Sequence, residues 1–188
     1  MTLEIPLPRW FEAWAATLPA RLDDDAAAMA VALEACRRNL DNGTGGPFGA
    51  ALIEEETRRL LGIGVNLVVS GRASVLHAEI VALTLAQQRA GNDNLAAGGR
   101  AVTLYSTAEP CAMCLGAIPW SGVNRVVCGA RDADVRAVGF DEGDKPVRWV
   151  EKFRRRGIAV TRDVRRAEAV GLLARYAAEG GVQYGPHG

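Results

Sequence analysis

The chain of 188 residues is 49% hydrophobic and 23% charged, which is typical of a soluble globular protein that buries one sizeable core. Its 22 basic and 22 acidic residues cancel, so the net charge provides no overall field to attract a polyanion, although a local basic patch is not excluded. The four cysteines do not form a disulfide framework, and we find no targeting segment or membrane-spanning apolar run. We therefore expect a cytoplasmic protein without a membrane partner.

The first 22 residues are expected to be an N-terminal extension, followed by a single domain over residues 23–188. The extension is interrupted by prolines and contains Trp10, Phe11 and Trp14, at a spacing close to one amphipathic helical turn. Two tryptophans exposed to water would be unfavourable. We therefore expect these aromatic side chains to pack on the domain or on a neighbouring subunit.

The first predicted helix of the domain is capped by the aspartates at 23–25 and runs to about Asn42, where Gly43 ends it. Apolar residues at helical spacing form its buried stripe: Met29, Leu33, Cys36 and Leu40. The Gly-rich residues 43–49 that follow lack the Lys-Ser/Thr pair of a P-loop, so we do not expect them to hold phosphate.

Two short strands are predicted next, over residues 50–54 and 60–68, and the charged turn between them favours a hairpin. Asn66 lies near the end of the second strand, where a single asparagine is usually a turn former. Its position alone therefore assigns it no function.

The remaining elements alternate between helix and strand. They are predicted as a helix over 76–88, a strand over 101–106, a helix over 111–120, strands over 123–129 and 158–161, and a helix over 164–178. The last helix is expected to turn three residues inward: Val170, Leu173 and Ala177. The strand, helix and strand in the middle predict a right-handed parallel crossover. The predicted fold class is α/β, as a three-layer α/β/α sandwich with a mixed central sheet of about five strands.

Two short motifs carry the chemistry, His77-Ala78-Glu79 and Pro110-Cys111-Ala112-Met113-Cys114. They offer one imidazole and two thiolates, and three protein ligands leave the fourth position of a tetrahedral zinc ion to a water molecule. We therefore expect one Zn²⁺ per chain, held by His77, Cys111 and Cys114. Glu79 lies beside this set as a catalytic acid–base group and not as a ligand.

The predicted helices explain the spacing of these motifs. His77 and Glu79 fall in the first turn of one helix, while Cys111 and Cys114 share one face of another helix that begins near Pro110. The partial positive charge at a helix N-terminus favours thiolate over thiol. A closed structural zinc site is not expected, because the other Cys and His residues are scattered: Cys36, Cys128 and His187.

Either motif alone is weak evidence, since H-x-E arises by chance and C-x-x-C can be a redox pair. Both motifs in this order are the signature of zinc deaminases that act on nucleobases. A catalytically silent scaffold protein would not require a carboxylate at Glu79. The motifs therefore favour an enzyme over a binding protein.

Four segments, in this order, resemble the bacterial guanine deaminases of the cytidine-deaminase fold: Gly45-Gly46-Pro47-Phe48-Gly49-Ala50, His77-Ala78-Glu79, residues 109–117 and Gly139-Phe140-Asp141-Glu142. The resemblance extends from about residue 25 to the C-terminus. The zinc motifs are shared with cytosine and tRNA-adenosine deaminases, so they indicate the superfamily only. The first and last of the four segments narrow the resemblance to the guanine deaminases.

The resemblance implies roles for residues outside the zinc motifs. Asn66 matches an asparagine that hydrogen-bonds the purine, and Phe48 matches an aromatic residue that lines the base pocket. Glu142 matches an acidic residue that reads the purine and assists proton transfer, whereas its acidic neighbours alone indicate a solvated turn. Tyr184 resembles a C-terminal tyrosine that closes over the base. Ala78 completes the predicted substrate-binding set.

The implied reaction converts guanine and water to xanthine and ammonia, with Glu79 as the proton shuttle. The implied partners are a free nucleobase and a second copy of the chain, in a homodimer that can exchange its C-terminal segment. Another aminated heterocycle, such as cytosine or an amino-triazine, is an alternative substrate. Adenosine in tRNA is a further alternative, although the neutral net charge argues against a nucleic-acid partner.

Overall fold

The computed structural model describes residues 4–185. Its strands are β1 (Gly49–Glu54), β2 (Leu60–Val65), β3 (Val102–Ala108), β4 (Arg125–Ala130) and β5 (Ala159–Thr161). Its α-helices are α1 (Arg9–Ala15), α2 (Asp25–Asp41), α3 (Ala78–Ala90), α4 (Ala112–Ala117), α5 (Asp132–Ala137), α6 (Trp149–Arg155) and α7 (Arg166–Ala178). Short 3₁₀ turns lie at Ala97–Gly99 and Ile118–Trp120. Among these helices none combines the length and the apolar character that a bilayer crossing requires.

The strands form one sheet in the order β2-β1-β3-β4-β5. Strand β1 pairs antiparallel with both β2 and β3, so that Ala51 lies between Ile63 and Tyr105. The β3–β4 and β4–β5 pairs are parallel, with Tyr105 opposite Val127. The predicted hairpin, the parallel crossover and the mixed sheet of five strands are therefore confirmed.

The two faces of the sheet carry separate apolar cores, because successive side chains of a strand point to opposite faces. Ala51, Tyr105 and Val127 belong to the first core, which α1, α2 and α7 cover. Leu104 and Val126 belong to the second core, which α3, α4 and α6 cover. Helices lie on both sides of the sheet, as the predicted three-layer sandwich requires.

The N-terminal part of the chain joins the first core. Phe11 and Trp14 of α1 are buried there together with Met29 and Leu33 from the apolar stripe of α2. Asp24 caps α2 by accepting a hydrogen bond from the Ala27 N–H at 2.7 Å, as the aspartate run predicts. Gly43, with φ +59°, follows the end of the helix. The aromatic residues of the N-terminal segment thus pack on the domain itself.

The structure differs from the predicted elements in three places. The sequence pattern did not indicate α5 and α6, because helices of six and seven residues are too short to show a period. The helix that follows Cys111 ends at Ala117 and continues only as a 3₁₀ turn. In α7, Leu173 is buried as predicted, but its buried neighbour is Ala169, four residues earlier on the same face. Two predicted inward residues are not buried: Val170, which is half-buried, and Ala177, which is exposed.

Candidate active site

Two helices begin at the candidate site. His77 is the N-cap of α3 and Cys111 is the N-cap of α4, and both have an extended backbone. Helix α3 packs so closely on β2 that a side chain at Gly64 would clash. A Cβ there would lie only 2.1 Å from the Ala78 carbonyl oxygen. This close packing fixes the first turn of α3, which carries the H-x-E motif.

The three predicted zinc ligands lie together. The donor atoms of His77, Cys111 and Cys114 are all within 4.8 Å of one another, and His77 Nδ1 is 3.4 Å from Cys111 Sγ. All three side chains are buried or half-buried. One imidazole and two thiolates at this spacing fit a four-coordinate zinc ion and leave one position for a non-protein ligand. The donor set therefore suits one Zn²⁺, as predicted.

The hydrogen bond between the two cysteines shifts their pKa values in opposite directions. A hydrogen bond from the Cys114 thiol, with a smaller effect of His77, lowers the pKa of Cys111 to about 4 despite its burial. The same hydrogen bond, together with burial, raises the pKa of Cys114 well above its ordinary value. The lowered pKa of Cys111 favours its thiolate, which is the form that binds metal ions.

Glu79 lies in the first turn of α3 and is 6% exposed. The Ser106 hydroxyl donates a hydrogen bond of 3.3 Å to its Oε1 atom. Burial raises the pKa of Glu79, and the charge of Cys111 acts in the same direction. A carboxyl group that accepts a proton readily suits general acid–base chemistry. Within the described residues, the cluster of potential metal ligands comprises His77, Cys111 and Cys114.

A cavity of about 650 Å³ adjoins the three ligands, and its size lies within the usual range for small-molecule sites. His77, Cys111 and Glu79 line it together with the predicted substrate-binding residues Phe48, Glu142 and Tyr184. The remaining two predicted residues lie behind the lining: Ala78, which is buried in the second core, and Asn66.

Three side chains at or beside this cavity each have a buried polar atom without a hydrogen-bond partner. These atoms are Asn66 Nδ2, Glu142 Oε2 and Tyr184 Oη. The Asn66 Oδ1 atom accepts a hydrogen bond of 3.2 Å from the Val68 N–H, so this side chain also forms the predicted turn. An unpaired buried polar group costs about 1–3 kcal/mol. The three atoms are therefore well suited to pair with a polar ligand.

Two glycines allow Asn66 and Tyr184 to approach each other. A Cβ at Gly45 would lie 1.8 Å from the Asn66 carbonyl oxygen. A Cβ at Gly46 would lie 2.6 Å from the Tyr184 hydroxyl and 3.1 Å from Asn66 Oδ1. The Gly-rich turn therefore serves close backbone packing beside the cavity, and this places the Asn66 amide next to Tyr184.

Aromatic rings form one wall of the cavity. Phe140 contacts Phe48 and Tyr184 edge-on, with ring centroids 5.1 and 5.2 Å apart, and Tyr184 meets His77 at 6.3 Å. Phe140 was not among the predicted site residues, although it lies within the Gly-Phe-Asp-Glu segment. An apolar wall of this kind suits a flat heterocyclic ring.

Glu142 is not in the solvated turn that its acidic neighbours indicate. Asp141 and Asp144 are exposed, whereas Glu142 is 5% exposed. Its carbonyl oxygen accepts a hydrogen bond of 2.9 Å from the Ala112 N–H, which holds this loop against the start of α4. Burial raises the pKa of Glu142, and the ammonium of Lys145 opposes this shift by favouring the carboxylate. Backbone anchoring thus turns one carboxylate of an acidic run inward.

A buried asparagine that sequence reasoning missed supports the substrate side of the cavity. Asn39 in α2 donates hydrogen bonds to the carbonyl oxygens of Gly46 and Asn66, at 3.1 and 2.9 Å. Its own Oδ1 accepts one from Thr44, which in turn accepts one from the Trp10 indole N–H at 3.0 Å. The only indication of this in the sequence is that Asn39 is a polar residue beside the apolar stripe of α2.

The sequence model of one protein family matches the chain over residues 22–130. It describes the cytidine and deoxycytidylate deaminase zinc-binding region. The matched residues include all three candidate zinc ligands and Glu79.

Two solved structures resemble nearly the whole chain. A protein in complex with 2,6-diaminopurine is 44% identical, with a TM-score of 0.91, over 100% of this chain and 98% of that one. The guanine deaminase from Nitrosomonas europaea is 44% identical, with a TM-score of 0.89, over 94% of this chain and 97% of that one.

Curated relatives match shorter regions. The guanine deaminase of Bacillus subtilis is 34% identical over 110 residues, which are 55% of this chain and 67% of the relative. A tRNA-specific adenosine deaminase of Buchnera aphidicola is 40% identical over 94 residues, or 50% of this chain, and the match spans only 58% of that relative. The family match and the nearly full-length structural matches agree with the geometry of the site. The chain therefore belongs to the cytidine and deoxycytidylate deaminase zinc-binding family and is a zinc-dependent aminohydrolase.

Proposed function

We propose that this aminohydrolase is a guanine deaminase, which converts guanine and water to xanthine and ammonia. The observation that carries the proposal is the set of unpaired buried atoms, Asn66 Nδ2, Glu142 Oε2 and Tyr184 Oη, at or beside the cavity that Glu79 also lines. Guanine offers both acceptors, O6 and N7, and N–H donors on its polar edges. The amide of Asn66 suits an acceptor, and the carboxylate of Glu142 suits an N–H edge.

The names of similar proteins support the same substrate class. The similar structures include a complex with 2,6-diaminopurine and a guanine deaminase, and both match more than nine-tenths of this chain. Both 2,6-diaminopurine and guanine are purines with an amino group at C2. We therefore assign the C2 amino group of a purine as the leaving group in this site.

His77, Cys111 and Cys114 would hold the zinc ion. When bound, zinc supplies a Lewis acid that makes water a better nucleophile at neutral pH. Glu79 removes a proton from a water molecule while the water oxygen attacks C2 of guanine. The Glu79 carboxyl group then passes that proton to a ring nitrogen. A second proton transfer through Glu79 to the C2 amine breaks the C–N bond and releases ammonia.

The wall opposite Glu79 orients the base. The rings of Phe48, Phe140 and Tyr184 provide apolar contact with a flat ring. Glu142 and Asn66 then fix the in-plane rotation of the purine, because each offers a buried polar atom that makes no hydrogen bond within residues 4–185. Correct rotation places C2 and not C6 at the zinc site.

Ammonia release from a panel of substrates tests this assignment. We expect guanine to be the best substrate, with cytosine, an amino-triazine and a tRNA carrying adenosine turned over poorly. Zinc content of each preparation is measured as the control for site integrity. A faster rate with tRNA or cytosine than with guanine would overturn the purine-base assignment and leave the zinc chemistry in place.

We further propose a cytoplasmic homodimer. Support comes from the large apolar side chains that one chain leaves exposed, notably Trp120 at 85% and Val147 at 99%. Light scattering of the purified protein tests the dimer, and a monomer at micromolar concentration would exclude it.

Exchange of the C-terminal segment is part of the same proposal. Tyr184 lines the cavity of its own chain. In a swapped dimer it would line the cavity of the partner chain instead. Mixing the Tyr184→Ala and Glu79→Gln variants tests this, because only a swapped dimer can combine an intact Tyr184 with an intact Glu79 in one site. Activity above that of either variant alone is expected from exchange, and no gain would exclude it.

A further inference from the structure

Lys145 is a buried cation directly behind the candidate site. Its side chain is 5% exposed, although lysine is ordinarily a solvent-exposed residue. Three carboxylates surround its Nζ atom: Glu109 at 3.3 Å, Asp132 at 3.3 Å and Glu142 at 3.9 Å. The ring of Trp149 covers another side, with its centroid 5.4 Å from Nζ. Lysine occupies only two of the 22 basic positions of the chain, so this placement is unusual for the sequence as well.

The three carboxylates differ in their other ion-pair partners. Glu109 also pairs with Arg162 at 3.3 Å and Arg131 at 3.8 Å, and Asp132 pairs with Arg136 at 2.9 Å. Within residues 4–185, Glu142 has no cation other than Lys145 inside 4 Å. The Oε2 atom of Glu142 has no hydrogen-bond partner there either. Loss of the Lys145 charge would therefore leave Glu109 and Asp132 with arginine partners and Glu142 with none.

We propose that Lys145 is a positioning residue for the reaction, which acts by holding the Glu142 carboxylate in its cavity-facing orientation. The inference rests on the proposed role of Glu142 in reading the base. A buried carboxylate without an opposite charge is unfavourable and tends to move or to lose its charge. The ammonium of lysine is a compact point charge, which can approach several carboxylates at once without the planar geometry that a guanidinium demands. Glu109 also pairs with Arg162 and Arg131, so that this partner of Lys145 is itself held by two further ion pairs.

A double-mutant cycle tests the coupling between Lys145 and Glu142. The variants are Lys145→Met, Glu142→Gln and the double variant, and the readout is kcat/KM for whichever base the wild-type enzyme deaminates best. We expect Lys145→Met to lower kcat/KM by about tenfold or more in the wild-type background. In the Glu142→Gln background the same change should have little effect, because the neutral amide no longer needs the cation.

A merely structural role for Lys145 would lower activity by the same factor in both backgrounds, and that result would overturn the proposal. Lys152→Met, which removes the other lysine from the end of α6, is the matched control and should leave kcat/KM unchanged. If Lys145→Met does not fold, Lys145→Gln replaces it in the cycle, since glutamine removes the charge but keeps a donor near Glu109. Zinc content is measured in every variant.

The cycle is independent of the identity of the base. Failure of guanine in the substrate panel would overturn the proposed function, yet the coupling would still be measured with the preferred base. Additive effects with an intact guanine activity would overturn the role of Lys145 alone.

Discussion

The zinc side and the purine side of the cavity are built in different ways. On the zinc side, His77, Cys111 and Cys114 come from two short motifs, and two of these residues are N-caps of helices. On the purine side, Phe48, Asn66, Glu142 and Tyr184 come from four separate segments. No helix or strand contains any of these four residues.

The two sides of the cavity depend on different features of the sequence. The spacing within a helical turn determines whether two ligands share one face, so the zinc side is encoded locally. The purine side depends on close approach between distant loops, for which Gly45 and Gly46 leave room. Variants on the zinc side should therefore lose metal or chemistry, whereas variants on the purine side should keep zinc and lose recognition of the base.

Cys111→Ala should have the largest effect, because it removes one of three protein ligands. We expect loss of zinc and of activity together, measured by elemental analysis and ammonia release. Cys36→Ala, which removes a buried thiol that does not belong to the ligand cluster, is the control and should keep both. Full zinc content in Cys111→Ala would contradict the ligand assignment.

Glu79→Gln should separate metal binding from chemistry on the zinc side. Because we propose Glu79 as the proton shuttle and not as a zinc ligand, we expect unchanged zinc content and a fall in kcat of roughly 100- to 10,000-fold. Glu151→Gln, on the surface of α6, should leave kcat as in the wild type. Near-normal turnover of Glu79→Gln would exclude this carboxylate as the proton shuttle.

Glu142→Ala should have the largest effect on the purine side. A charged acceptor that faces an N–H edge makes strong hydrogen bonds, so we expect guanine kcat/KM to fall about a hundredfold while zinc stays bound. Asp144→Ala changes an exposed acidic neighbour in the same loop and should be neutral. Equal kinetics for the two variants would mean that another pocket reads the base.

Asn66→Ala should have a smaller effect, because the lost contact is a neutral hydrogen bond. We expect kcat/KM to fall about tenfold, which corresponds to roughly 1.4 kcal/mol. Asn42→Ala, at the exposed end of α2, serves as the control. A drop in thermal stability without a change in kcat/KM would show that Asn66 only forms its turn.

The sequence predicted the zinc side and most of the fold, because both depend on local periodicity. The H-x-E and C-x-x-C motifs, the capped α2 and the hairpin all follow patterns within a few residues of one another. The roles of Asn66 and Glu142 came only from resemblance to a family. Local composition assigned Asn66 to a turn and Glu142 to a solvated acidic run. Distant segments of the chain bury both side chains.

Residues whose proposed roles depend on tertiary contacts could not be identified from the sequence. Lys145 lies in a run of charged residues, and its burial depends on Glu109 and Asp132 from other parts of the chain. Asn39 interrupts an apolar stripe, but its partners lie in two later loops. The short helices α5 and α6 were missed for a related reason, since their positions are set by packing and not by period.

The hydrogen bonds that run from Trp10 through Thr44 and Asn39 to the Asn66 carbonyl have a practical consequence for the smallest functional fragment. The family match begins at residue 22, and residues 1–22 are the proposed extension. A fragment trimmed at that boundary would lose the indole donor that holds Thr44, and with it part of the support of the loop that carries Asn66. Its defect should therefore be a raised KM for the base in a fragment that still carries zinc.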